Sequence, residues 1–246
     1  MDKDIKTDLK INGTGSTSGG SFNEVVINGV GNVNGNLECF SFKSNGVSNV
    51  TGDMKSQSVK VNGTSNMIGN IESDEFKING SADVRGNIKS KESKVHGELK
   101  LTGSLDSEIV ELHGGMSVSG DCNAERFASR GGFSISGMLS ADEIDIRLHG
   151  KCSAKEIGGE KITVKLGNEF TLKRFIKSIF PSWDLNSKLT ADMIEGDDIE
   201  LEETKAKIVR GNNVTIGRGC EIDLVEYKNT FNLADNNSRV KENKKT

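Results

Sequence analysis

A chain of 246 residues is long enough to bury a core, yet only 33% of its residues are hydrophobic and 5% aromatic, too little apolar material for a conventional globular domain of that size. The net charge of −4 leaves no basic surplus, so nucleic acid is not an expected partner. No apolar run is long enough for a membrane-spanning helix, and the charged opening MDKDIKTDLK lacks the apolar centre of a secretory signal, which predicts a cytoplasmic protein.

Residues 1–8 read as a polar tail. From 9 to 167 the sequence repeats. One glycine column runs Gly13, Gly29, Gly46, Gly63, Gly80, Gly97, Gly114 and Gly131. A second runs Gly19, Gly35, Gly52, Gly69, Gly86, Gly103, Gly120 and Gly137. Both columns open with a step of 16 and continue in steps of 17. Between them the residues alternate in polarity. Val25, Phe42, Val59, Phe76, Val110 and Phe127 share one apolar column, and Leu37, Met54, Ile71, Ile88 and Leu105 share another. Cys39, Ser56, Ser73, Ser90 and Ser107 form a column of small residues. Alternation with period two means strands buried on one face. A single repeat cannot bury its own apolar side, so repeats must stack.

The fold predicted is all-β: a right-handed parallel β-helix, a triangular solenoid of 17-residue rungs with three short strands of two to four residues per rung. Leucine-rich repeats need longer units and propeller blades still longer ones. The Asn-Gly pairs, such as Asn28-Gly29, are expected to supply the positive φ of a sharp corner.

Composition then changes. Residues 168–190 are predicted to hold a short amphipathic helical insertion. Leu172, Phe175, Ile176, Ile179 and Phe180 recur at helical spacing, with Lys173 and Arg174 among them and Trp183 just beyond Pro181. Its apolar face is expected to cap or flank the solenoid; the alternative is that it docks on an anionic membrane or a membrane-associated protein. Residues 191–228 return to additional, irregular β-helix rungs, with Ile199, Leu201, Thr204, Ala206, Val214, Ile216 and Ile222 inward and corners at Gly196, Gly211 and Gly219. The polar stretch 229–246 reads as a disordered tail.

Catalytic signatures are missing from the sequence: there is no phosphate-binding loop, nucleophile elbow or His-Glu-x-x-His. No catalytic residue, cofactor or metal site is predicted. His96 and His113 are one rung apart, but their column otherwise holds the turn residues Asn28, Asn45, Asn62 and Asn79, so they read as solvated corner residues. Cys39, Cys122, Cys152 and Cys220 lie far apart and read as packed, reduced thiols.

The Gly-punctuated rungs, for example VKVNGTSNMIGNIES, and the C-terminal AKIVRGNNVTIGRGCEIDLVEY together resemble the bactofilins, in particular the longer Firmicute-type members. That resemblance implies a right-handed triangular β-helix that assembles end to end without nucleotide. It further implies a cytoplasmic scaffold, peripheral at the inner face of the cell membrane, that organises envelope, morphology or motility machinery. Leu9 and Ile11 occupy the columns of Val25 and Ile27 in the first rung, so they are the expected self-association surface, giving a dimer or a filament. The alternatives are a non-polymerising β-solenoid binding or adhesin module, or a β-helix carbohydrate-active enzyme or acyltransferase.

Overall fold

The computed structural model describes residues 7–167 and 187–246, which fall into two compact units, Met1–Asn123 and Ala124–Thr246. The strands of both units pair in parallel, and no helix occurs among the described residues. The protein is therefore an all-β parallel solenoid.

In the first unit β1 (Leu9–Ile11), β2 (Thr14–Ile27) and β3 (Val30–Ser44) lead into a regular alternation of short and long strands. The short ones are β4 (Val47–Thr51), β6 (Thr64–Ile68), β8 (Ser81–Arg85), β10 (Glu98–Leu101) and β12 (Gly115–Val118). The long ones are β5 (Met54–Val61), β7 (Ile71–Ile78), β9 (Ile88–Val95) and β11 (Leu105–Leu112). Each long strand carries two consecutive outward residues, Gln57 and Ser58 in β5, where it bends. Each turn thus has three sides but only two continuous strands. The strands are longer than the two to four residues expected, because the ladder skips a single residue at the bend, Gln57 in β5, and resumes in register.

Register follows the sequence columns: Phe42 pairs with Val59 and Val59 with Phe76, while Met54 pairs with Ile71 and Ile71 with Ile88. These side chains are at most 2% exposed. Each contributes about 1.5–3 kcal/mol relative to exposure. Where Ser93 interrupts the apolar column of Val59 and Phe76, its hydroxyl finds another. Buried Ser93 meets Ser90 at 2.7 Å, and Ser90 meets Ser107 at 3.0 Å.

The two glycine columns exchange roles relative to expectation. Positive φ is found at Gly35, Gly52, Gly69 and Gly86, in the second column (φ 114, 127, 139 and 156). The Asn-Gly glycines have no such backbone. They are required because successive corners nest: a Cβ on Gly63 would fall on the carbonyl oxygen of Gly46, and one on Gly80 on that of Gly63. Beside them the asparagines stack into a ladder, Asn28→Asn12 at 2.7 Å, Asn45→Asn28 at 2.8 Å, and Asn62→Asn45 and Asn79→Asn62 at 2.7 Å, each side-chain N–H donating to the amide oxygen one rung back.

The division between units falls within β13 (Cys122–Ser129). The second unit contains β14 (Gly132–Leu148), β15 (Cys152–Leu166), β16 (Leu189–Leu201), β17 (Thr204–Ile216), β18 (Glu221–Leu233) and β19 (Arg239–Lys245). Cys152 pairs with Leu189 and Val164 with Leu201, so the ladder resumes in register after the intervening segment. The next joint steps by 15 residues: Leu189 pairs with Thr204, Gly196 with Gly211 and Leu201 with Ile216. The residues expected to face inward from Ile199 to Ile222 are all buried. Gly219 has the positive φ of a corner (φ 70), whereas Gly196 and Gly211 lie stacked within strands. The stretch 229–246 is not a disordered tail. β18 runs on to Leu233, and β19 pairs with it through Arg239–Glu221, Val240–Ile222 and Val225–Asn243. A strand at the edge of a sheet needs few apolar residues, so its polar composition hid it. The predicted helix at 170–183 lies outside the described residues.

Candidate self-association surface

The ladder of the first unit begins at β1. Leu9 pairs with Val25, Lys10 with Val26 and Ile11 with Ile27, the columns the sequence assigned. This first layer is more open than the next. Leu9 is half-buried and Ile11 9% exposed, whereas Val25 and Ile27 are fully covered. Phe22, also half-buried, stands where later rungs place Cys39 and Ser56. A bulky ring in a small-residue column fills the space that the first layer leaves. The sequence reading passed over Phe22, although its register against Cys39 is visible in the glycine spacing. Around the layer Asn23 donates to the Thr7 carbonyl at 2.9 Å and, through its side chain, to Asp8 at 3.0 Å.

The final strand of the second unit has another character. β19 reads RVKENKK; Asn243 sits in register over buried Val225, and Lys241 pairs with Asp223 at 2.6 Å. Charged side chains on an edge strand oppose further pairing. β19 covers only part of β18, since Leu233 remains 41% exposed.

The long strands of the first unit present charge in two ways. Glu38, Lys55, Glu72, Lys89 and Asp106 form an in-register column of alternating sign. Lys43, Lys60, Lys77 and Lys94 form a column of one sign. Lys94 is relieved by Glu92 at 2.7 Å, whose hydrogen bond raises its pKa. His96 and His113 meet edge to face, their ring planes at 90° and centroids 5.2 Å apart. The pKa of His96 is lowered, first by desolvation and then by His113, Lys77 and Lys94.

All four cysteines are buried thiols outside any disulfide. Burial pushes Cys122 up to about 12 and Cys152 and Cys220 up to about 11. Thiols held so far above neutral pH are poor nucleophiles. Leu172, Lys173, Arg174, Phe175, Ile176, Ile179, Phe180 and Trp183, the candidate membrane or partner contacts, lie outside the described residues.

Residues 50–140 match the family model of the bactofilins, described as polymer-forming cytoskeletal. The matched stretch, made of regular 17-residue rungs, is thus similar to the bactofilins. Two relatives from Bacillus subtilis (strain 168), in keeping with a Firmicute-type member, align with part of this chain. One is the uncharacterized protein YhbF, 39% identical over 108 residues (44% of this chain, 41% of the relative). The other is the uncharacterized protein YhbE, 41% identical over 96 residues (38% of this chain, 37% of the relative). The chain spans about two fifths of the length of these relatives in the aligned regions. No solved structure matches it.

Proposed function

We propose that this protein is a non-enzymatic scaffold that self-associates through the first rung of its solenoid, in the cytoplasm, and organises envelope, morphology or motility machinery. The observation that carries the reading is the register of β1. Leu9 and Ile11 continue the core columns of Val25 and Ile27 to the first described rung, where Leu9 is half-buried and Ile11 is 9% exposed, while Val25 and Ile27 are fully covered. Joining two such edges about a two-fold axis satisfies strand edges and buries apolar surface in one contact. The polymer-forming character of the matched family supports the same reading. An anionic membrane is the partner proposed for the basic, aromatic segment 170–183.

The test is a Leu9→Lys/Ile11→Lys double variant, examined by sedimentation velocity and electron microscopy. The unaltered chain should sediment as dimers or larger at tens of micromolar, and the variant as a monomer with unchanged β-rich circular dichroism. A monomeric unaltered chain, or a variant of unchanged mass, rejects the proposal.

A further inference from the structure

The side of the first unit formed by the short strands is unlike the others. Its first four rungs are Thr14–Ser18, Val30–Asn34, β4 and β6, paired in unbroken register from Thr14–Val30 through Val30–Val47 to Val47–Thr64. Three residues of each point outward, and none of the twelve is charged. With 28% of the whole chain charged, twelve uncharged positions would arise by chance about 2% of the time, and surfaces normally carry at least that charge density. The depletion ends abruptly at β8 and β10, which present Asp83, Arg85, Glu98 and Lys100.

Val30, Val47 and Ile68 on this side are 41%, 43% and 40% exposed. Between them, Asn49 donates to Asn32 at 2.9 Å, which holds the amides in a row. The buried amide oxygen of Asn66 in the same column has no hydrogen-bond partner. The lysines that commonly protect exposed strands from one another are missing here.

We infer that this uncharged side is a lateral contact between copies of this chain, a deepening that rests on the end-to-end reading above. Two features select a second copy as the occupant. The side chains stand in ridges one rung apart, about 4.8 Å, and another solenoid of this kind has ridges of matching spacing. A two-fold contact sets each residue against its own kind, which uncharged Asn, Thr and Val tolerate and like charges do not. Four rungs of five residues cover only about 300 Å² per copy, against about 800 Å² in a standard interface. A single pair is therefore weak, and the contact acts when repeated between end-linked assemblies.

An Asn49→Cys substitution tests this directly, because all four native cysteines are buried. Under mild oxidation the Asn49→Cys protein should form disulfide-linked dimers. Adding Val47→Lys and Ile68→Lys, both outward, should cut their yield at least tenfold and convert laterally paired strands in micrographs into single strands of unchanged length. Equal cross-linking with and without the two lysines, or no cross-linking at all, overturns the inference. Repeating the cross-link in the Leu9→Lys/Ile11→Lys background separates the two readings. Cross-links that persist there while end-linked length is unaffected reject the end contact and retain the lateral one.

Discussion

At the scale of single residues the corners are the most demanding positions, and two glycines of one column separate the causes. Gly13 and Gly63 are both Asn-Gly glycines without positive φ. A Cβ on Gly13 would meet nothing within 4 Å, whereas one on Gly63 would collide with the carbonyl of Gly46 and, at 2.8 and 2.9 Å, with Asn45. Gly13→Ala should therefore be neutral or stabilise by a few tenths of a kcal/mol, through the lower entropy of the unfolded chain. Gly63→Ala must push two rungs apart and should cost more than about 2 kcal/mol. Urea unfolding at dilute concentration reads the difference; equal midpoints would show that the Asn-Gly column is there for turn propensity alone. The buried serines teach a related lesson. Ser93 breaks an apolar column, but its hydroxyl meets Ser90 in the same rung, and Ser90 meets Ser107 one rung on. The cost of burying Ser93 is offset because the small-residue column beside it supplies a hydroxyl.

At the scale of elements, stacking turns side-chain choice into ladders, and the asparagine ladder shows what happens when one is interrupted. It runs from Asn12 to Asn79 and then gives way to His96 and His113. Desolvation, His113 and nearby lysines lower the pKa of His96 below that of an ordinary imidazole. The folded state therefore binds that proton less readily than the unfolded chain. Stability assigned to His96 is fully present above the unfolded pKa and is lost as pH falls through the lower folded value. Between about pH 7.5 and about pH 5.5, a range that brackets an ordinary imidazole, the unaltered protein should lose more stability than His96→Asn, which also extends the ladder. Identical pH slopes in thermal unfolding would remove His96 as the cause. The same repetition explains what was legible in the sequence. Two glycine columns in one register disclosed the rungs, the inward columns and the place of Leu9 and Ile11. They misled about φ, since a glycine demanded by a neighbouring rung looks the same in sequence as one demanded by its own backbone. The 15-residue step after Leu189 went unread as a period because only the β16–β17 joint has it; the next joint steps by 16 and, past a shift between Gly211 and Asn213, by 17. The uncharged short-strand side was visible column by column, but an absence of charge draws notice only once the strands are known to share a face.

At the scale of the whole molecule, assembly depends on how the solenoid edges are finished, and the two described edges are finished differently. β1 presents Leu9 and Ile11, whereas β19 presents Arg239, Lys241, Lys244 and Lys245 along a strand whose inward register places Asn243 over Val225. On the proposed end-to-end reading the first edge takes a partner and the charges of the second oppose one, so β19 should act as a limiter of growth. A chain ending at Ser238 tests this. It keeps the Ser238 hydroxyl, which accepts from the Cys220 amide at 3.1 Å and donates to the Gly217 carbonyl, but exposes the β18 edge with Ile222 and Val225. At equal concentration it should form larger assemblies than the full chain. A second variant, Lys241→Thr/Lys244→Thr/Lys245→Thr, retains the strand and removes the charge. Of the ion pairs it loses the exposed Lys241–Asp223 one, which solvent screens. It should shift the sedimentation profile in the same direction, most visibly at low salt, where the repulsion between like-charged edges is least screened. If truncation enlarges the assemblies and the threonine variant does not, β19 limits growth by covering the edge rather than by its charge. If neither changes the profile, the C-terminal strand plays no part in limiting assembly.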